Sequence, residues 1–177
     1  DFTKAFDKVP HERLLSKLIH YGIDGNINKW FRSFLTLRVQ QTVCDGISSP
    51  SQSVTSGVPQ GTVLGPMLFL LYVNDLTDNL ECSARLFADD CLLYIPITTS
   101  DDMNKLQSDL CKLEQWQNNW QMEFNPTKCF IMCISLKKDP PHRTYMFCNT
   151  ALAYVDSHPY LGVNLDKKLR WNSHIHE

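Results

Sequence analysis

Two adjacent carboxylates, Asp89 and Asp90, stand between apolar runs in Leu86-Phe87-Ala88-Asp89-Asp90-Cys91-Leu92-Leu93-Tyr94. Unpaired, each raises the other's pKa, and a divalent cation removes that cost. A hard ion such as Mg²⁺ takes oxygen ligands of this kind. The competing reading is a solvated hairpin turn. Acids also open the chain, in Asp1-Phe2-Thr3-Lys4-Ala5-Phe6-Asp7. Asp1 closes an apparent strand, which places its carboxylate at the rim of a sheet. A strand-end acid facing a hairpin-turn acid is the arrangement a two-metal phosphoryl-transfer site needs. Taken alone, Asp1 and Asp7 read as capping or surface acids. A third element is Ser56-Gly57-Val58-Pro59-Gln60-Gly61-Thr62-Val63-Leu64-Gly65-Pro66. Its glycines let backbone approach a ligand closely, and Gln60 offers a donor and an acceptor. By itself this stretch reads as a Gly-Pro loop before a core helix.

The elements that must position these residues belong to a chain of 177 residues, 43% hydrophobic and 20% charged. That suffices for one domain with a real core, and it excludes a disordered tail, a collagen-like repeat and a coiled-coil rod. The formal net charge of −2 supplies no global basic field, although a local groove can be basic on a neutral chain. Seven cysteines without paired spacing fit a reducing intracellular compartment better than a disulfide scaffold, with nucleus and cytoplasm unresolved. No apolar run approaches the roughly 20 residues of a membrane span, so no membrane partner is expected. An opening at Asp1, with an apolar segment already under way, and a close at Glu177 suggest a piece of a longer polypeptide.

Helices are expected over 10–21, with Pro10 in the first turn and an apolar face of Leu14, Leu15, Leu18 and Ile19, and over 28–36. A hairpin spans 38–54 with its turn at Asp45-Gly46. A buried helix follows over 67–73, two strands flank Asp89-Asp90, and a long amphipathic helix covers 101–122. Strands are expected over 128–135, 144–148 and 160–165. The order predicts an α+β fold, an antiparallel sheet backed by helices.

Taken together, the opening acid with Lys-Ala-Phe-Asp, the Gly-Val-Pro-Gln-Gly loop and Phe-Ala-Asp-Asp resemble the palm of a reverse transcriptase, most closely those of non-LTR retrotransposons. Asn125-Pro126-Thr127-Lys128-Cys129 looks like that family's fourth palm motif. Tyr160-Leu161-Gly162-Val163 and the stretch from Leu169 to Ile175 look like its primer grip and the start of its thumb. The resemblance covers nearly the whole chain. It implies a right-hand polymerase palm over 1–158, lacking fingers, and a primer grip with a truncated thumb over 159–177. It further implies that Asp1, Asp89 and Asp90, with the Phe2 carbonyl, hold two Mg²⁺ ions, Mn²⁺ being the alternative. Phe6, beside Ala5, would lie beneath the incoming sugar. Gln60 and Gly61 would line the nucleotide pocket, and Lys128 would protonate the leaving pyrophosphate. Tyr160, Leu161 and Gly162 would grip the primer. The implied partners are an RNA template, a DNA primer, a deoxynucleoside triphosphate and the remainder of the same polypeptide: fingers, thumb and an endonuclease. Without them the 177 residues alone are expected to be inactive.

Other readings rank lower. Cys129 and Cys133, with Cys148 or His142, could be named a zinc site, but both thiols fall on one side of an apolar strand and read as structural. His174 and His176 read as surface residues. Trp116 and Trp120 lie one turn apart on the long helix and read as core rather than a base-stacking platform. A metal-dependent nuclease also uses clustered acids, but leaves Gln60 and Phe6 without a purpose. A non-catalytic nucleic-acid-binding remnant of a decayed element is the alternative from another class.

Overall fold

The computed structural model describes residues 1–170. The strand expected at Asp1 is reduced to an isolated bridge of Phe2 with Phe124; helix α1 (Ala5–Lys8) follows, and α2 (His11–His20) and α3 (Gly25–Leu35) come next. Then come α4 (Leu64–Val73), continued by a 3₁₀ turn over Asn74–Thr77, and the long α5 (Ser100–Trp120). Among the described residues the strands form six two-stranded ladders rather than one continuous sheet. All are antiparallel except the pairing of Phe130–Ile131 with Ala153–Tyr154. The mixture of helices and small antiparallel ladders agrees with the α+β expectation. None of the described helices is long and apolar enough to cross a membrane.

Helix α5 follows from its sequence. Leu110, Leu113 and Trp116 recur at helical spacing and are buried, and Thr99 with Asp102 forms a capping box that satisfies first-turn amides. The hairpin over 38–54 also stands as expected. Val39–Gln40 pairs with Gln52–Ser53 and Val43–Cys44 with Ile47–Ser48, and Asp45 and Gly46 take φ of 50° and 79° at the turn. Such a mirror-image turn matches the right-handed twist of its strands.

Several expectations need correction. Pro10 is extended (ψ 123°) and precedes α2 rather than occupying its first turn, because it makes a bridge to Ser56. The buried face of α2 is Leu14, Leu15, Leu18 and Lys17, while Ile19 is exposed. Lys17 takes the inward place because its ammonium donates to the Tyr72 carbonyl and pairs with Asp75. It also lies 3.8 Å from the Trp120 ring centre, a cation–π contact, so Trp116 and Trp120 are core as expected. Helix α3 begins three residues earlier than predicted. In α4, Leu68, Phe69, Tyr72 and Val73 are buried but Met67 and Leu70 face outward, so that helix is apolar all round without being enclosed. The strand expected over 128–135 is paired only at Phe130–Ile131, and that over 144–148 only at Met146–Phe147. The stretch 160–165 is the turn and return strand of a hairpin, Ser157–Tyr160 with Val163–Asp166. Leu161 and Gly162 turn it with φ of 48° and 78°. The thumb-start residues beyond Arg170, with His174 and His176, lie outside the described residues.

The Asp89 hairpin is tied to the core from below. Asp109 of α5 is fully buried, and its Oδ2 accepts the amides of Glu81 at 2.8 Å and Cys82 at 2.6 Å, just before the strand Ser83–Phe87. Burial disfavours its charge, but Lys112 at 2.8 Å and the Cys82 amide outweigh that and hold the carboxyl below the usual range. Removing this acceptor strands the Glu81 and Cys82 amides and takes one partner from Lys112, which keeps Asn79 and Glu81. Asp109→Ala is therefore expected to destabilise the fold by about 2–4 kcal/mol at pH 7 in a urea titration. A depressed carboxyl stabilises above its unfolded pKa and loses that contribution as pH falls through its folded value. The gap between wild type and Asp109→Ala should accordingly close as pH drops below about 4.

Candidate active site

The chain enters the site along its first residues. Phe2 makes an antiparallel bridge with Phe124; the Asn125 amide donates to the Asp1 carbonyl at 3.0 Å and the Thr3 amide to Glu123 at 2.7 Å. The Phe2 side chain is core, stacked on Phe124 at 4.4 Å, so Asp1 stands at the mouth of an aromatic cluster. Its carboxylate is 22% exposed and lies 3.2 Å from the Lys128 ammonium. The stretch Asn125–Lys128 is a 3₁₀ turn closed by the Asn125 side chain accepting the Thr127 amide, which aims Lys128 back at Asp1. Sequence spacing contains no signal for this ion pair.

The second acidic element flanks the same segment. In the hairpin Phe87 pairs with Asp90, leaving Ala88 and Asp89 as a two-residue turn. Ala88 is left-handed at φ 50°, a conformation costing a non-glycine residue about 1–2 kcal/mol. Asp89 is half-buried and Asp90 exposed. One residue on, burial pushes the Cys91 thiol up to about 11. Cys91 and Cys129 both pack against the apolar cluster that holds Phe2, which brings the acidic hairpin and the segment after Lys128 to the same core. The carboxylates of Asp1, Asp89 and Asp90 offer oxygen donors, which suit a hard divalent cation. Among the described residues, however, no three His, Cys, Asp or Glu side chains gather at one point, and Cys129, Cys133 and Cys148 form no zinc group. All seven cysteines are free thiols.

The chain leaves strand geometry at Lys4, which is left-handed at φ 51°, and α1 follows. Ala5 is thereby buried, and Phe6 stacks on Phe69 at 4.6 Å. Phe6, Phe69, Leu70, Leu86, Phe87 and Ala88 are among the residues lining an apolar cleft of about 350 Å³ beside the acidic turn. The Gly-rich loop closes on α1 from the other side. Gly57 and Val58 donate to the carbonyls of Val9 and Phe6, each at 2.8 Å, and Gln60 donates to the Asp7 carboxylate at 2.9 Å. The Gly57 carbonyl in turn contacts His11 Nε2 at 2.8 Å and accepts from Arg38 at 3.2 Å. Tyr160, Leu161 and Gly162 sit at the turn of their hairpin, where Tyr160 pairs with Val163.

A family profile described as "Reverse transcriptase (RNA-dependent DNA polymerase)" matches residues 1–165. The chain belongs to the reverse transcriptase family. Among its relatives, the "Probable RNA-directed DNA polymerase from transposon X-element" of Drosophila melanogaster is 30% identical over 99% of this chain and 20% of its own length. The "RNA-directed DNA polymerase from mobile element jockey" of the same fly is 29% identical, again over 99% of the chain and 20% of the relative. A "Retrovirus-related Pol polyprotein from type-1 retrotransposable element R2" from Popillia japonica is 27% identical over 73% of the chain and 23% of its length. The chain therefore spans about a fifth of the length of these relatives. The likeness to polymerases of non-LTR elements agrees with the reading of its motifs.

In this reverse transcriptase chain, sequence reasoning missed Asp7, His11 and Arg38, which hold the Gln60 loop. The only sequence hint was Asp7 within the opening motif. Gly57 shows how tightly the loop is held. Its φ is +87°, and a β-carbon there would meet the Asp7 carbonyl oxygen at 2.7 Å. Gly61, at φ +76°, has open space around it. Gly61→Ala should cost about 1–2 kcal/mol from backbone strain alone. Gly57→Ala should cost about 1–3 kcal/mol more from the added clash, read as the difference between their denaturation midpoints.

Proposed function

We propose that this chain is the palm and primer-grip part of an RNA-directed DNA polymerase acting in retrotransposition. The palm takes residues 1–158, and the primer grip with the start of the thumb takes 159–177. The observation that carries this reading is the meeting of the opening and fourth motifs at Asp1, with Lys128 on its carboxylate and the Asn125 amide on its carbonyl, while Cys91 of the acidic hairpin packs against the apolar cluster that holds Phe2. An unrelated capping acid has no reason to meet the fourth motif in this way.

The reaction is attack of a primer 3′-hydroxyl on the α-phosphate of a deoxynucleoside triphosphate, with release of pyrophosphate. Asp1, Asp89 and Asp90, with the Phe2 carbonyl, would hold two Mg²⁺ ions, or Mn²⁺. Those ions supply charge neutralisation at the reacting phosphate. Lys128, 64% exposed and ion-paired with Asp1, would hand a proton to the pyrophosphate oxygen. Phe6 and Ala88 both line the cleft, and the Phe6 ring would fill the space a ribose 2′-hydroxyl needs, with Ala5 and Gly61 as further nucleotide-binding residues. Discrimination by such a clash disfavours the wrong sugar rather than rewarding the right one. The turn at Tyr160, Leu161 and Gly162 would grip the primer. An RNA template and the rest of the parent polypeptide complete the partners.

Two measurements on the full polypeptide test this. Asp89→Asn keeps side-chain size and removes a charge, so incorporation should fall below a few per cent of wild type with no loss of thermal stability. Retained activity would remove Asp89 from the metal site. Phe6→Val should raise the ratio of ribonucleotide to deoxynucleotide incorporation. An unchanged ratio with a lowered melting midpoint would return Phe6 to the core, where truncating such a ring costs about 3–5 kcal/mol.

A further inference from the structure

Asp7 takes no part in metal binding, sugar selection or proton transfer, yet the Gln60 loop closes on it. Most of that closure is indifferent to its side chain. The Ser56 hydroxyl donates to the Asp7 main-chain carbonyl at 2.8 Å, and the Gly57 and Val58 amides donate to the carbonyls of Val9 and Phe6. Any residue at position 7 would keep these bonds. The bond from Gln60 Nε2 to Asp7 Oδ1, at 2.9 Å, needs the carboxylate.

That bond carries directional information. An ionised carboxylate only accepts, whereas a carboxamide has a donating and an accepting end. Asp7 therefore selects one of the two flips of Gln60, with the nitrogen toward Asp7 and Oε1 on the outer side. Both side chains are exposed, so a free Gln60 would sample many rotamers and both flips. The loop backbone is already fixed by Gly57, whose close approach to Asp7 leaves no room for a β-carbon. The side-chain bond extends that rigidity from the backbone to the Gln60 carboxamide.

We propose that Asp7 is a positioning residue for nucleotide recognition. It holds the Gln60 carboxamide in one flip and one rotamer, so that the acceptor Oε1 meets the incoming deoxynucleotide already oriented. This rests on the polymerase reading above. Pre-organisation of a binding group acts on affinity, so its loss appears in KM before kcat. A merely structural Asp7 would instead lower the melting midpoint.

The test is steady-state single-nucleotide incorporation by the full polypeptide, comparing wild type, Asp7→Ala, Gln60→Ala and the double variant. Each single variant should raise KM for the deoxynucleotide about five- to tenfold, with kcat within about twofold and the melting midpoint unchanged. The double variant should be no worse than Gln60→Ala, because Asp7 acts only through Gln60. Multiplying KM effects, or a loss seen in kcat and the melting midpoint together, would overturn the proposal. A readout independent of turnover is the Gln60 side-chain amide signal in ¹⁵N-glutamine-labelled protein, identified by its absence in Gln60→Ala. It should shift in Asp7→Ala, and an unmoved signal would overturn the orienting contact. No incorporation by wild type would overturn the polymerase reading and the nucleotide as ligand, while the amide signal still decides the contact by itself.

Discussion

Phe2 is the side chain on which the geometry of the site depends. It stacks on Phe124 at 4.4 Å, meets the edge of Phe69 at 6.4 Å and leans on Trp116 at 6.0 Å. It thereby joins the opening segment to α4, to α5 and to the segment after α5. Such ring pairs each add about 0.5–1.5 kcal/mol beyond the area they bury. Because Asp1 precedes Phe2 directly, the same packing sets where the first carboxylate stands. The backbone bridge to Phe124 then delivers Asn125 and Lys128 to it. A chemical group exposed at the rim is placed by an apolar neighbour that water never reaches.

Around that anchor the site is made of turns. Lys4, Ala88 and Leu161 all carry positive φ without being glycine, and each begins or forms a reversal next to a residue assigned to the reaction. Local strain of this kind persists only where surrounding structure holds it. The Asp109 bonds to Glu81 and Cys82 do so for the acidic hairpin. The Gly57 contacts do so for the Gln60 loop. The Lys17 cage holds α2, from which His11 reaches that loop, against the 3₁₀ turn after α4. Buried polar groups in this chain serve to fix elements that apolar packing alone would leave free to slide.

What could be read from the sequence follows the range of the forces involved. Helix α5 was legible because its apolar stripe is a local signal; the Thr99 cap is local too but was not read. The Asp45-Gly46 turn was legible for the same reason. The acidic pair, the Gly-rich loop and the fourth motif were recognisable by residue type and order. The Lys128–Asp1 pair, the Asp7–Gln60 bond and the Asp109 clasp join residues far apart in the chain, and no periodicity announces them. Lys17 was missed because a lysine on an amphipathic helix ordinarily faces water, and the Tyr72 carbonyl, Asp75 and the rings of Tyr72, Trp116 and Trp120 together make its burial tolerable. The hairpin at Leu161-Gly162 was hidden because a leucine rarely opens a left-handed turn.

The central claim is that Asp1, Asp89 and Asp90 act together on a divalent cation. The most direct measurement is Mn²⁺ binding to the full polypeptide, followed by the electron paramagnetic resonance of the free ion with a deoxynucleoside triphosphate present. The account predicts Mn²⁺ bound by the protein beyond what the nucleotide alone takes up. It also predicts that Asp1→Asn, Asp89→Asn and Asp90→Asn each weaken that binding by tenfold or more, with equal loss in the triple variant. Undiminished binding in the triple variant would contradict it.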